Sequence, residues 1–274
     1  MPTDADRIAE LARLSDPTLP PAPPGGPSRL APDGYLAATR TATYGFLAAL
    51  PLLVLYEVGI LLANAGQVQQ VRVGADVWLK SLLAFFGGTG WMALGLAVLA
   101  IGAGVYWSER RRRPPLRARF FGLIVAESLV YAVLLALVVG GVVGLLFGVW
   151  ATPAVLLAQL AELPLGLQLA LSIGAGLYEE LVFRVLLVGG LFLLARRLLP
   201  KPWQAYLAAA LVGAFVFSLV HYVGVYGDPF TLPSFSFRFL FGLALNGVFL
   251  LRGFAVAAWT HALYDVLVVT GSFG

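Results

Sequence analysis

Residues 120–150 read FFGLIVAESLVYAVLLALVVGGVVGLLFGVW, and Glu127 is the only charged residue in this stretch. An α-helix of this length is more than sufficient to cross a hydrocarbon core about 30 Å thick. The same character extends through the chain, in which 60% of the residues are hydrophobic and 12% are charged. The sequence therefore predicts a membrane protein, and helices are expected because their backbone hydrogen bonds are satisfied within each segment.

Six further apolar runs are long enough, or nearly long enough, to span a membrane. They lie near 43–66, 77–107, 167–195, 203–224, 236–251 and 253–272. The run 236–251 is short, whereas 120–150 is long and contains a pair of glycines. We therefore predict an all-α, polytopic helical membrane protein with seven to eight transmembrane helices, formed by residues 43–274.

The ends of the apolar runs differ in charge. Six arginines lie in 110–119, and Arg196, Arg197 and Lys201 form the next basic group. Because Lys and Arg accumulate on the cytoplasmic side of membrane proteins, these loops and the N-terminus are predicted to be cytosolic. Residues 1–42 are rich in Pro and polar residues and are predicted to form a disordered cytosolic tail. The expected location is a bacterial cytoplasmic membrane.

The composition also excludes some classes of site and partner. The chain has no cysteine, so disulfides, thiolate metal sites and cysteine nucleophiles are excluded. The net charge of +4 comes from arginines at the ends of apolar runs, where they set orientation. Membrane lipid is therefore an expected partner, and nucleic acid is not.

Ionisable side chains within membrane spans are rare and are functional candidates by default, because inserting one costs about 2.5–3.5 kcal/mol. The candidates here include both histidines of the chain; they are Glu57, Glu127, Glu179, Glu180, Arg184, His221, Arg238, His261 and Asp265. Isolated glutamates such as Glu57 and Glu127 are more typical of hydrogen bonds between helices. We therefore expect those two to be structural.

The densest group is Gly-Leu-Tyr-Glu-Glu-Leu-Val-Phe-Arg at 176–184. At 3.6 residues per turn, Glu180 and Arg184 share a helix face and can form an ion pair, while Glu179 points about 100° away. The two carboxylates therefore have different neighbours and can take different roles. We predict that Glu179 is the general base.

Two further groups carry the histidines, Phe-Ser-Leu-Val-His at 217–221 and His-Ala-Leu-Tyr-Asp at 261–265. His261 and Asp265 are one helical turn apart, so both can reach one ligand, or the carboxylate can orient the imidazole. Together with the glutamates they form a complete hydrolytic set. It could hold a divalent metal such as zinc, or it could activate water with a glutamate opposite a histidine-lined oxyanion hole.

The predicted span boundaries conflict with this convergence. His221 lies late in the span at 203–224, whereas His261 lies early in the parallel span at 253–272. The resulting offset is about 12 Å along the membrane normal at 1.5 Å per residue. We expect an error in the boundaries near 236–251 to be the cause.

In combination, the three groups resemble the motifs of the CPBP intramembrane proteases, also called the Abi or CAAX-protease family. That family's pattern is EExxxR, then FxxxH, then HxxxN or HxxxD, on separate helices. The chain matches all three motifs, in order, between Gly174 and Asp265. Three ordered motifs on three apolar spans are much more specific than any one alone.

The resemblance implies a helical membrane fold around an intramembrane active-site cavity, with 167–272 as the catalytic core, and cleavage of a protein or peptide substrate. It implies that Glu179 activates water with His221 and that His261 and the residue at 265 stabilise the oxyanion or bind a metal, while Glu180 and Arg184 shape the site. Possible metal ligands are Glu179, Glu180, His221 and His261, and a metal-free glutamic mechanism is the open alternative. The residue at 265 is Asp, and an ionised carboxylate cannot donate to an oxyanion.

Two functions from other classes remain open on the sequence. An ion- or proton-coupled transporter would use Glu57, Glu127, Glu179 and Glu180 as a relay across the bilayer. The adjacency of Glu179 and Glu180 speaks against such a path. A membrane partner or immunity protein of the same family, without chemistry, is the third possibility.

Overall fold

The computed structural model describes residues 34–65, 71–85, 90–111, 114–148, 163–224 and 227–272. All regular structure in these ranges is helical, as the sequence predicts. In chain order the α-helices are α1 (Tyr35–Thr39), α2 (Ala42–Ala63), α3 (Gly74–Phe85), α4 (Gly90–Glu109), α5 (Ala118–Phe147), α6 (Leu165–Gly174), α7 (Gly189–Ala195), α8 (Pro202–Val220), α9 (Leu232–Arg252) and α10 (Phe254–Val269).

Between α6 and α7 the chain is helical without a break, but it widens into π-helix at Ala175–Glu179 and Leu181–Val188. In a π-helix the backbone bonds run from i to i+5, and such segments are rare and frequent at functional sites. The predicted run 167–195 is therefore one helix that contains two such segments.

Two of the predicted spans have different boundaries in the structure. The single span predicted at 77–107 is wrong, because α3 ends at Phe85 and α4 begins at Gly90. The sequence between them contains Gly87 and Gly88, and glycine is a poor helix former. The predicted run 236–251 is too short, since α9 has 21 residues and begins at Leu232.

The predicted number of spans is not confirmed. Among the described residues, four helices are long and apolar enough to cross a membrane, namely α2, α5, α8 and α9. Leu94–Glu109 and Phe254–Val269 are apolar but shorter. A multi-pass helical membrane protein is supported, and seven to eight spans stay a prediction.

The predicted tail lies mostly outside the described residues. From Tyr35 onward the chain is helical, and α2 begins at Ala42, where the Thr41 side chain accepts a hydrogen bond from the Tyr44 N–H. The Tyr35 hydroxyl donates to Glu127 on α5 at 2.5 Å. Helix α1 is thus attached to the helical bundle.

Helices α9 and α10 are joined by a single residue, Gly253, with φ of +87°. This left-handed backbone favours glycine, because a side chain would be strained there. The turn brings α10 back against α9 at once. Helix α10 is largely buried and packs against α2, α5, α6, α9 and the first π-helical segment.

The contact between α10 and the first π-helical segment is unusually close at Gly176. A Cβ atom added there would lie 2.5 Å from the backbone nitrogen of Ala262 and 2.6 Å from the carbonyl oxygen of Ala258. Small residues allow membrane helices to approach in this way. The approach places Glu180 opposite His261.

Candidate active site

Glu179 and Glu180 lie at the junction of the two π-helical segments, and their side chains diverge. Arg184 Nη1 is 2.9 Å from Glu180 Oε1, which confirms the predicted ion pair. Both side chains are essentially buried. The guanidinium group of Arg184 also lies 4.5 Å from the centre of the Phe217 ring, a cation–π contact. Glu180 is therefore a buried carboxylate paired with a buried arginine.

Glu180 also orients a histidine. His261 Nδ1 lies 2.7 Å from the same Oε1 atom of Glu180. An ionised carboxylate can only accept a hydrogen bond, so Nδ1 of His261 carries the hydrogen. The sequence offered Asp265 for this orienting role, but the structure gives it to Glu180 on the neighbouring helix.

Glu179 faces both imidazoles. Its Oε2 atom is 3.9 Å from His221 Nε2 and 4.0 Å from His261 Nε2. No described residue donates a hydrogen bond to this buried oxygen. A buried carboxylate oxygen without a donor is costly in a purely structural site, and such atoms need a specific explanation.

His221 is the C-cap residue of α8. Its Nδ1 is 2.7 Å from the carbonyl oxygen of Phe217, one turn back along the helix. A carbonyl oxygen only accepts, so Nδ1 is protonated and Nε2 points toward Glu179. The side chain therefore folds back along the helix, and the two histidines meet at Glu179 in spite of the offset that the sequence suggested.

Asp265 completes the group. Its Oδ2 atom is 3.6 Å from His261 Nε2, beyond hydrogen-bond distance. The described structure thus brings together six side chains at three motifs, here called the Glu179 cluster: Glu179, Glu180, Arg184, His221, His261 and Asp265. All six were candidates from the sequence.

A cavity of about 620 Å³ contains the reactive side of this cluster. Glu179, His221, His261 and Asp265 line it, and its walls include several aromatic side chains: Trp78, Phe183, Phe217, Phe237, Phe241 and Tyr264. Loop residues Arg72 and Asp228 lie at its edge, together with Arg238. This volume falls within the range of small-ligand and peptide pockets, about 300–1,000 Å³.

A second buried polar group, here called the Glu57 cluster, lies beside the first and was not foreseen. It consists of Glu57, Arg72, Asp76 and Lys80 with the hydroxyls of Tyr56 and Tyr178. Tyr178, which directly precedes Glu179 in the chain, donates to Glu57 at 2.8 Å, and Lys80 Nζ lies 2.7 Å from the same oxygen. Glu57 thus forms hydrogen bonds between helices, as predicted.

Arg72 connects the Glu57 cluster to the cavity edge. Its Nη1 atom lies 3.0 Å from Asp76 and 3.3 Å from Glu57. Partial burial disfavours the charged form of Arg72, but the two carboxylates outweigh this effect and raise its pKa above the ordinary value. The i, i+4 spacing of Arg72, Asp76 and Lys80 was the available signal for this cluster.

Glu127 lies apart from both clusters. Its carboxylate binds Arg252 at 2.5 Å and 2.8 Å, and the hydroxyl of Tyr35. Both partners lie at the end of the bundle where the arginine-rich loop 110–119 leaves α4 and enters α5. Glu127 is therefore a structural ion pair, also as predicted.

The spacing of the side chains in the Glu179 cluster can be compared with that of a zinc site. Tetrahedral zinc with nitrogen and oxygen ligands keeps those atoms about 3.3–3.6 Å apart. The relevant distances here are 3.6, 3.9 and 4.0 Å. No group of three or more His, Asp or Glu side chains suited to a metal ion occurs among the described residues.

Comparison with known proteins agrees with the site. Residues 161–267 match the family model described as type II CAAX prenyl endopeptidase Rce1-like. This range covers α6 through most of α10 and contains all three motifs. No curated protein and no solved structure matches the chain. The C-terminal part of the chain is therefore similar to the Rce1-like CAAX prenyl endopeptidases, which agrees with the family that the three motifs resemble.

Proposed function

We propose that this chain is an intramembrane endopeptidase that hydrolyses a peptide bond of a protein or peptide substrate, with Glu179 as the general base. The observation that carries this proposal is the Glu179 Oε2 atom, which faces two imidazole Nε2 atoms at a cavity wall and has no donor among the described residues. The family match supports a CAAX-type protease.

Water is activated between Glu179 and His221 in this proposal. Because Nδ1 of His221 donates to the Phe217 carbonyl, a neutral ring has the Nε2 lone pair available to hold a water molecule. The water gives one proton to the Glu179 carboxylate as its oxygen attacks the substrate carbonyl carbon. The proton then passes from Glu179 to the amine nitrogen as the peptide C–N bond breaks.

His261 stabilises the oxyanion in this proposal. Glu180 accepts its Nδ1–H, so Nε2 can donate only if His261 is an imidazolium. Glu179, Glu180 and Asp265 surround this ring, and Arg184 pairs with Glu180. The carboxylates thus favour a positive ring at 261, and donors of this kind contribute about 10²–10³-fold to rate.

The transporter alternative has less support. A relay would need carboxylates spaced along one path, but Glu57 is bound by Lys80, Arg72 and Tyr178, and Glu127 by Arg252. Both are neutralised locally. In the cavity, by contrast, the Glu179 carboxylate faces two imidazoles at 3.9 and 4.0 Å.

The test is cleavage by purified, detergent-solubilised protein of a library of membrane-anchored peptides, with and without a prenyl group. We expect specific cleavage that Glu179→Ala abolishes. Cleavage that survives Glu179→Ala would overturn the mechanism, and cleavage that survives both His221→Ala and His261→Ala would overturn the site. A folded protein that cleaves no peptide would favour the non-catalytic alternative.

The same preparation tests the predicted divalent metal. Metal content is measured in parallel with activity, before and after chelation. Activity that is lost with the metal and restored by zinc would replace the metal-free proposal by a metal-dependent one. Full activity of stoichiometrically metal-free protein would support Glu179 as a base that acts directly on water.

A further inference from the structure

The two ends of the helical bundle differ in charge and in access to the Glu179 cluster. One end, here called the arginine-rich face, contains Arg40, the loop 110–119 and residues 196–201. The other end, here called the cavity face, contains residues 71–75, Leu163, Val223, Gly224 and Asp228, all of which line the cavity. Contacts between the ends of the helices show which segments belong to each face.

Hydrogen bonds between helix ends bring together the segments that form the arginine-rich face. Glu109, at the end of α4, accepts from the backbone N–H groups of Ala42 and Thr43 at the start of α2. The Tyr44 hydroxyl donates to the Pro115 carbonyl. Arg40 donates to the carbonyl of Leu250 near the end of α9.

The segment 196–201 joins the same face through the packing of α8 and α9. The Tyr206 hydroxyl donates to the Asn246 carbonyl, and the Ser218 hydroxyl to the Phe235 carbonyl. The two helices are therefore antiparallel, and the start of α8 lies beside the end of α9. Arg196, Arg197 and Lys201 consequently lie at the same end as Arg252.

Hydrogen bonds and an ion pair likewise connect the segments that form the cavity face. The Asn64 side chain, just after α2, bonds to both backbone groups of Val71. The Asp228 N–H donates to the His221 carbonyl, and Arg238 near the start of α9 pairs with Asp228. The loops that follow α2 and α8 therefore meet at the mouth of the cavity.

The basic residues are distributed very unequally between the two faces. Among the described residues, the arginine-rich face has four arginines in 110–119 and three basic residues in 196–201. On the cavity face, the described residues of 64–73 and 221–231 contain one Lys or Arg, Arg72, and Arg238 on α9 is paired with Asp228. Short loops rich in Lys and Arg remain on the cytosolic side.

We infer that the cavity, and with it Glu179, is reached from the non-cytosolic side of the membrane. As an extension that rests on the proposed function, the substrates are peptide segments presented at that side. The arginine-rich face then lies against the cytosolic leaflet, where anionic lipids attract Lys and Arg.

Single-cysteine labelling tests this inference directly, because the natural chain contains no cysteine. Val223→Cys reports on the cavity mouth and Leu198→Cys on the arginine-rich face; the parent side chains are 68% and 77% exposed. Each full-length variant is treated with a membrane-impermeant maleimide in sealed right-side-out vesicles, before and after permeabilisation. Phe230→Cys, in the same loop as Val223, replaces the first reporter if it does not react after permeabilisation.

We expect the mouth reporter to be labelled equally before and after permeabilisation, and Leu198→Cys only afterwards. The reverse pattern would overturn the inference. Equal labelling of both reporters in sealed vesicles would show two orientations and would also overturn it.

A cleavage assay on the same vesicles tests the extension. Soluble quenched-fluorescent peptides are added outside, and we expect cleavage without permeabilisation that is absent in Glu179→Ala vesicles. Cleavage only after permeabilisation would overturn the inference. If no peptide is cleaved in either condition, the proposed function fails, while the labelling still decides the side of access.

Discussion

The Glu57 cluster and the Glu179 cluster are neighbours, but their buried carboxylates are paired in different ways. In the Glu57 cluster two carboxylates meet two cations, and each carboxylate oxygen lies within 3.3 Å of a cation or a hydroxyl. In the Glu179 cluster Arg184 pairs with Glu180, whereas Glu179 Oε2 lies 3.9 Å from the His221 Nε2 atom. Tyr178 and Glu179, adjacent in sequence, belong to different clusters.

This difference separates structural charge from charge available for chemistry. A buried ion pair contributes little net stability, so its value lies in fixing how helices pack. A carboxylate left without a donor costs stability and is retained where it acts on a ligand. Composition cannot distinguish the two cases, because both clusters consist of ionisable residues within apolar sequence.

The largest contrast is expected from the same substitution in each cluster. Glu179→Gln removes the atom that accepts the proton of water, so kcat should fall about 10²–10⁴-fold with little change in thermal stability. Glu57→Gln should do the opposite, lowering the unfolding temperature while the folded fraction keeps its kcat. Peptide cleavage and thermal unfolding in detergent measure both effects. Similar losses of kcat in the two variants would contradict the assignment of Glu57 to structure and Glu179 to chemistry.

A smaller effect is expected from breaking the buried ion pair. Arg184→Met leaves the Glu180 carboxylate buried without its cation, which should lower the free energy of unfolding by about 3–5 kcal/mol. The double variant Arg184→Met with Glu180→Gln should recover much of this loss without recovering activity, since His261 loses its charged partner. Denaturant titration in mild detergent provides the measurement. A double variant as unstable as the single one would show that the loss comes from packing instead.

Removing the hydrogen bond that borders both clusters should have a still smaller effect. Tyr178→Phe deletes one donor to the Glu57 carboxylate, and hydrogen bonds to charged groups contribute about 1.5–3 kcal/mol. Lys80 and Arg72 still neutralise Glu57, so kcat should change by less than about tenfold, or 1.4 kcal/mol. The same titration and cleavage assay report both values. A loss of activity as large as that of Glu179→Gln would make Tyr178 part of the reacting group.

The smallest change is expected from the substitution Asp265→Asn. The related motif accepts Asn at this position, and an Asn amide can donate a hydrogen bond where an ionised Asp cannot. Asp265→Asn should therefore keep kcat within about tenfold, or 1.4 kcal/mol. In Asp265→Leu, loss of the polar group should lower it by about 10²–10³-fold. If the Asn and Leu variants were equally impaired, the negative charge of Asp265 would be required.

Much of the site could be predicted from local sequence. The Glu180–Arg184 pair follows from helical spacing, and the cost of intramembrane charge indicated both histidines. The pairs that Asp76 forms with Arg72 and Lys80 follow from their i, i+4 spacing. That Glu57 joins them could not be predicted, since Glu57 meets Lys80 and Tyr178 across 23 and 121 residues. Such distant pairing leaves no pattern in one sequence.

The fold boundaries failed for a related reason. Apolar content continues across the glycines near residue 87, so hydropathy joined α3 and α4 into one span. The fold-back of His221 depends on α8 ending at Val220, where the free carbonyl of Phe217 is within reach. Hydropathy does not detect a helix end of that kind, because the residues that follow are also apolar.

The close approach at Gly176 has a consequence for protein engineering. Main-chain atoms of two helices meet there, so the spacing between Glu180 and His261 is set by the backbone and tolerates no added side chain. The cavity lining also includes the side chains of Trp78 and Phe237. Libraries that diversify these two positions while retaining Gly176 should therefore yield altered substrate preferences in enzymes that remain active.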